Sequence, residues 1–273
     1  MTSVSAAPEI SGQPVLLLHC SASSGRQWDG LAGSLPEQFV PCAPDLYGYG
    51  SGPRWSGPGR IDLSAEARLA VEALPADAGK LHLVGHSYGG AVALRFAVEQ
   101  PWRIRSLTLI EPVAFHTLRE GGKAEKHLLD SIRRIAASVI RHTLTGDYHG
   151  AMQRFVDYWS GDGAWQLSSP STRQRLGAQA PKVVLDFHAA ISEQTPLETY
   201  RRRFDFPVRI VRGELSPAPT RRIAELLSER ILGASLTTIP GAGHMLPLSH
   251  PEQVNAAILA QLDAGGRSGL RAA

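Results

Sequence analysis

LHLVGHSYGGAVALRFAVEQ, residues 81–100, is an apolar run that breaks at Gly85-His86-Ser87-Tyr88-Gly89 and resumes with helical spacing. That pattern predicts strand, sharp turn, helix. Glycine two residues to either side of Ser87 is what such a turn requires, because a Cβ at either place would meet the adjoining strand or helix. The turn lifts the Ser87 hydroxyl clear of the sheet and sets it at a helix N-terminus. The dipole and free N–H groups there favour the negative oxygen that forms when a serine attacks a carbonyl.

Working outward, PVLLLHC at 14–20 is a short continuous apolar run, as expected of a strand buried on both faces. Trp28, Leu31 and Leu35 then carry the spacing of a helix of about three turns. FVPCAPD, 39–45, is the next strand, and it leads through a turn at Asp45 to Gly50 into the Gly- and Pro-rich loop SGPRWSGPGR. A helix from Leu63 to Leu74, capped by Asp62 or Ser64, precedes the strand at 81. Beyond the Ser87 helix, IRSLTLIEP at 104–112 is another buried strand. This strict alternation implies the α/β class, with a mostly parallel sheet wound by helices on both faces.

From 113 to 205 the alternation lapses into helical segments alone. In the first of them Leu128, Ile132, Ile135 and Val139 share one face and most basic residues lie on the other, the pattern of a helix packed as a lid over its own domain. Strand signals return at FPVRIVRGE, 206–214, followed by a helix near Thr220 to Glu229, the strand SLTTIP, the turn GAGHM and a last helix from Pro251 to Leu262. The expected organisation is a core of 1–112 and 206–273 with 113–205 inserted as a helical cap. Residues 1–13 read as a loose arm and AGGRSGLRAA, 264–273, as a disordered tail.

The chain has 273 residues, enough for one large domain with an inserted lobe. Its net charge of +3, from 28 basic and 25 acidic residues, is small and interspersed, so no nucleic-acid partner is expected. The two cysteines, Cys20 and Cys42, form neither a disulfide framework nor a metal site and are expected as reduced thiols. Neither a leader pattern nor an apolar run of membrane-spanning length is seen, so the expectation is a cytoplasmic protein without a membrane partner.

An attacking serine needs a base, and the base needs an orienting carboxylate, both at the carboxyl ends of the strands. Among the histidines, His82 lies inside a strand and His86 points into the turn, which suits structural roles. His116, His127, His142, His149 and His188 fall in the helical segments. His244 is the candidate base, because Gly241-Ala242-Gly243-His244 follows the last strand directly. The oxyanion hole needs two converging N–H donors; Tyr88 follows the nucleophile and Ser21 lies on the loop after the first strand.

The motifs LLLHCSAS, APDLYGYG, VGHSYGG, RGE and PGAGHM, in that order and with a helical block after LIEP, resemble the α/β-hydrolase family with an inserted cap domain. The resemblance implies ester-type hydrolysis through an acyl-serine, with no metal and no organic cofactor. This chain departs from the family in three places. Only 13 residues precede the first buried strand, so the usual opening hairpin is reduced or missing and about six strands are expected. The usual HG after that strand is His19-Cys20, and Ser216 stands where the usual acid should be. Glu111 is the expected acid in its stead: it ends the strand next to the nucleophile strand, one strand spacing of about 4.8 Å from the usual position. Glu111 also follows Ser87 by 24 residues (111 − 87), the separation seen where members of this fold carry the acid on that strand. Glu214 or a cap carboxylate is the alternative.

The expected function is a serine carboxylester hydrolase acting on a small to medium apolar ester, lactone or thioester. A C–C bond hydrolase of the same fold is the alternative enzyme, and a catalytically inactive binding protein is the alternative from another class. Phe155, Tyr158, Trp159, Trp165 and Phe187, with Met245 and Leu246 beside the histidine, either shape an apolar substrate site or form the cap's own core. Oligomeric state is open.

Overall fold

A computed structural model of the protein describes residues 12–75 and 78–268. Its strands are β1 (Gln13–Leu18), β2 (Phe39–Cys42), β3 (Leu81–His86), β4 (Ile104–Ile110), β5 (Val208–Gly213) and β6 (Ser235–Ile239). They form one sheet in the order β2-β1-β3-β4-β5-β6, with every neighbouring pair parallel. Among the described residues the sheet has six strands, the number expected. The chain runs outward from β1 to β2, then crosses back to place β3 on the other side of β1. That reversal opens a crevice beyond the carboxyl ends of β1 and β3, the place where such sheets bind their ligands.

Alternate side chains of the strands enter different cores. Val15, Leu17, Val84, Ile110, Val211 and Ile239 face the layer containing α1 (Asp29–Ala32), α11 (Leu246–Ser249) and α12 (Pro251–Ser268), where they meet Trp28, Leu31, Val254, Ile258 and Leu262. Leu16, Leu18, Leu83, Leu107, Leu109 and Ile210 face α2 (Leu63–Glu72), α3 (Tyr88–Glu99) and α10 (Ala218–Arg230). Asp62 caps α2, its carboxylate accepting from Ala65 N at 2.8 Å, while Ser64 donates instead to Glu99 at 2.5 Å.

Between β4 and β5 the chain makes six α-helices: α4 (Lys123–Leu144), α5 (Tyr148–Ser160), α6 (Ala164–Leu167), α7 (Pro170–Gly177), α8 (Ala180–Ser192) and α9 (Leu197–Arg203). Their apolar side chains, among them Leu129, Ile132, Val139, Met152, Trp159 and Phe187, are continuous with the core on the α2–α3 side of the sheet. The buried stripe of α4 runs through Leu129, Ile132, Ala136 and Val139, with Leu128 and Ile135 half-buried at its margin. Two charge clusters fasten these helices to the sheet layer. Arg222 on α10 meets Glu125 of α4 at 2.9 Å as well as its own neighbours Glu225 and Glu229. Arg95 on α3 donates to Glu99 at 2.8 Å, to Thr195 at 3.3 Å and to Glu193 at 3.5 Å.

Two expectations fail locally. The three-turn helix around Trp28 is a 3-10 turn, Gly25–Trp28, followed by the single turn of α1. Gly30 and Gly33 weaken the helix there, and Leu35 still reaches the same apolar layer without it. The tail expected to be disordered from 264 is helical through Ser268, because α12 lies so close to the sheet that a Cβ on Gly265 would stand 2.9 Å from Ser106 Cβ and 3.0 Å from His82 Cε1. Here glycine allows contact rather than marking its end. The arm at 1–11 and residues 269–273 lie outside the described residues. Both cysteines are free thiols, and among the described residues no helix is long and apolar enough to cross a membrane.

Candidate active site

Ser87 sits between β3 and α3 with φ of +55°, a conformation costly for a residue bearing a side chain. Its backbone is held on both sides: Ser87 N donates to Ile110 O at 2.9 Å, and Ser87 O accepts from Gly90 N, Ala91 N and Val113 N. The flanking glycines are required by contact. A Cβ on Gly85 would fall 2.4 Å from Gly89 O, and one on Gly89 would fall 2.4 Å from Leu18 O. The turn is therefore wedged between α3 and the end of β1.

The Ser87 hydroxyl lies 2.9 Å from His244 Nε2, and His244 Nδ1 lies 3.1 Å from Glu111 Oε2. A carboxylate can only accept, so Nδ1 carries the proton and Nε2 is left to accept from Ser87 Oγ. Glu111 follows β4 with φ of +48°, and its other carboxylate oxygen accepts from Gly213 N at 2.8 Å. Burial alone would raise the Glu111 pKa, but the hydrogen bond and charge of His244, together with the Gly213 amide, outweigh it and hold the carboxyl below its ordinary value. Glu214 points elsewhere: its carboxylate accepts from Gly241 N at 2.9 Å and bonds no histidine. The Ser216 hydroxyl is buried and has no hydrogen-bond partner.

Ser21 and Tyr88 both border the small cavity against Ser87, and among the described residues no acceptor engages either main-chain N–H. The loop that carries Ser21 is held from several sides. His19 Nδ1 donates to Cys20 O at 2.7 Å while its Nε2 accepts from Leu46 N at 3.0 Å, and Ala22 takes a φ of +57°. Gln27 bridges Cys20 N and His86 Nδ1, at 3.1 Å each, and His86 Nε2 donates to His244 O at 3.0 Å. His82 likewise serves the sheet, accepting from Ser106 and donating to Gln13. The bridging role of Gln27 has no signal in the sequence, because it depends on loops far apart in the chain.

Side chains from the helices between β4 and β5 border the space at Ser87 and His244. The Trp159 ring of α5 lies 4.2 Å, centroid to centroid, from the His244 imidazole, and Phe155 and Phe187 stand over the serine. Space remains on two sides of it. A slot of about 20 Å³, no larger than one water needs, is lined by Val113, Phe115, Phe187 and Asp186. A larger cavity of about 270 Å³ runs past Trp159, Leu176 and Met245 to Arg175. Of the residues offered for an apolar site, Tyr158 packs against Trp159, Trp165 packs against His149 and Leu246 is in the α12 layer, and none of the three lines these spaces. Three ionisable residues went unnoticed in the sequence: Glu66, Lys182 and Asp186 are buried beside the slot. Lys182 and Asp186, four apart in the largely apolar APKVVLDFHAAIS, were the available signal.

The alpha/beta hydrolase family model matches residues 15–257. The chain is 29% identical over 259 residues to Lipase LipV of Mycobacterium tuberculosis, covering 91% of this chain and 92% of that protein. It is 27% identical over 254 residues to the pimeloyl-(acyl-carrier protein) methyl ester esterase of Yersinia pseudotuberculosis, covering 90% and 91% of the two chains. A solved thermophilic esterase from Thermogutta terrifontis superposes with a TM-score of 0.71 at 23% identity, over 93% of this chain and 91% of that one. With one parallel sheet, a glycine-flanked serine turn after β3 and a match across nearly all of its length, this chain belongs to the alpha/beta hydrolase family.

Proposed function

We propose that the protein is a serine carboxylester hydrolase in which Ser87 is the nucleophile, His244 the general base and acid, and Glu111 the carboxylate that orients the histidine. The observation that carries this reading is the unbroken hydrogen-bonded line from Ser87 Oγ through His244 to Glu111, at 2.9 and 3.1 Å. The ester-hydrolysing relatives support it. As Ser87 Oγ attacks the ester carbonyl, its proton passes to His244 Nε2, and Glu111 stabilises the imidazolium that results. The carbonyl oxygen, now negative, is received by the main-chain N–H groups of Ser21 and Tyr88. His244 returns the proton to the departing alcohol. A water activated by the same nitrogen then cleaves the acyl-serine, releasing the acid and restoring the Ser87 hydroxyl.

Residues 113–205 act in this reading as a cap that keeps water from the reacting atoms, with Trp159 laid over the histidine. The walls of Phe155, Trp159, Leu176 and Met245 suit a small to medium apolar ester. No cofactor or metal enters the scheme. We assign a cytoplasmic location as part of the same proposal, in keeping with two free thiols. The test is turnover of a chromogenic short-chain ester together with labelling by a fluorophosphonate. Wild type should do both, and Ser87→Ala neither. An unlabelled wild-type protein would point to a binding protein. Labelling without ester turnover, with cleavage of a vinylogous diketone, would point to a C–C hydrolase.

A further inference from the structure

The proton relay leaves one buried group of charges unused. Lys182 on α8 donates through Nζ to Glu66 Oε1 at 2.9 Å and to Asp186 Oδ1, and its ammonium stands 4.6 Å from the Tyr49 ring centroid and 4.8 Å from that of Tyr88. Asp186 Oδ2 accepts from the Ser21 hydroxyl and from the Tyr49 hydroxyl, each at 2.5 Å. Glu66 Oε1 accepts from the Tyr88 hydroxyl at 3.2 Å, and its Oε2 from Tyr47 N at 3.1 Å. Burying two carboxylates and one ammonium is costly, and apolar residues of like size would often hold a helix as well or better. Helix attachment is therefore a weak reason for the cluster. Its connections supply a better one: the two residues whose main-chain N–H groups face the attacked carbonyl, Ser21 and Tyr88, each end by their side-chain hydroxyl on this cluster. One hangs on Asp186, the other on Glu66, and Lys182 joins the two carboxylates.

Resting on the serine hydrolase reading above, we propose that Lys182 is a positioning residue that sets the distance between the two oxyanion donors, so that the oxyanion hole is assembled only when α8 is docked. The two donors come from different segments, the loop after β1 and the first turn of α3, and the sheet alone does not fix the distance between them. Misplacement of a donor by a fraction of an ångström weakens a bond that matters in the transition state and hardly at all in the ground state. Ala22, at φ +57° beside Ser21, shows that this loop is held in a conformation it would not keep unaided. Burial would lower the Lys182 pKa, but Asp186 and Glu66 outweigh it and raise it, so the ammonium stays charged across the working pH range.

The test compares Lys182→Met and Ser21→Ala with wild type on three readouts: kcat and KM for a neutral ester, affinity for a trifluoromethyl ketone, and affinity for the matching secondary alcohol. The ketone forms a tetrahedral adduct with Ser87 whose oxygen needs both amides, whereas the alcohol fills the same pocket without one. Lys182→Met should lower kcat by about 10²-fold or more, near the loss of one oxyanion donor, and weaken the ketone in parallel, with KM and alcohol affinity within about threefold. Ser21→Ala removes one tether while leaving Lys182 paired with both carboxylates, and should give a smaller loss with the same split, about tenfold. It keeps the question open to refutation if Lys182→Met does not fold. Wild-type kcat and ketone affinity in a folded Ser21→Ala, or equal weakening of ketone and alcohol in either variant, would overturn the proposal. Ser87→Ala in the same assay separates the two claims: if it retains turnover, the serine reading falls and this one with it. If it is inactive while both variants keep wild-type values, only the positioning role falls.

Discussion

In the orienting role proposed for it, Glu111 occupies an unusual place, at the tip of β4 rather than β5, and its backbone shows what that place demands. A φ of +48° is strained for a residue with a side chain, by an amount on the order of 1 kcal/mol or more. It is compensated by Glu111 N donating to Val211 O at 2.9 Å and by Gly213 N donating to the carboxylate. The carboxylate is thus aimed from both ends. Glu111→Gln keeps the size but offers His244 an amide that can also donate, favouring the wrong tautomer. We expect kcat to fall by up to about 10⁴-fold with KM little changed and the protein still folded. Glu214→Gln, beside the exposed Gly241 turn, should stay within a few-fold of wild type, and steady-state kinetics of the pair identify the acid. That Glu111 comes to lie beside His244 was legible because its strand and its 24-residue offset from Ser87 are local facts. The Lys182 cluster was not, because Glu66, Lys182 and Asp186 meet only after α2 and α8 have packed, and spacing along the chain carries no record of that meeting.

The β3–turn–α3 unit is where glycine is required by contact rather than by the backbone alone. Gly89→Ala would press a methyl against Leu18 O and His19 O, at 2.4 and 2.6 Å in the present geometry, so α3 and the end of β1 must part. The expected cost is at least about 1–3 kcal/mol by urea unfolding, with a fall in kcat as the loop bearing Ser21 moves. Gly30 in α1 is the control. An added Cβ there meets nothing within 4 Å, so Gly30→Ala should leave activity unchanged and be neutral or stabilise by up to about 1 kcal/mol. The same contrast explains what could be read at this scale. Strand and helix existence followed from apolar patterning, whereas α1 came out shorter and α12 longer than expected. Glycine has several uses, and only the packing of Gly265 against Ser106 and His82 shows which one applies.

Across the whole molecule, burial holds four histidines, His19, His82, His86 and His116, below their ordinary pKa, and together they weaken the fold in acid. Desolvation pulls His19, His82 and His116 down to about 4 and His86 to about 3. His86 is held further down by the neighbouring His244. Each ring is committed to the structure: His19 to the Ser21 loop, His82 to the sheet and α12, His86 to His244 O, and His116 to the Tyr200 hydroxyl at 2.7 Å. These pKa values lie below the ordinary 6.5 of the unfolded chain, so between about pH 6.5 and 4 the unfolded state binds more protons than the folded one. Stability is therefore fully present above about 6.5 and is lost as pH falls toward 4. At pH 5 each histidine accounts for a loss on the order of 2 kcal/mol, and four together approach the whole stability of a typical domain. Glu111 contributes in the same direction but only at lower pH, because its carboxyl is held below the ordinary range. Unfolding monitored by far-UV circular dichroism at a series of pH values should show midpoints falling steeply from about pH 6.5, with acid unfolding complete near pH 4 to 5. His82→Gln keeps a neutral side chain at the Ser106 and Gln13 contacts, and should flatten that dependence by about one proton even if it lowers stability at pH 8. A variant whose pH slope matched wild type would show that His82 titrates alike in the folded and unfolded chains, and this account of the acid limit would fail for that residue.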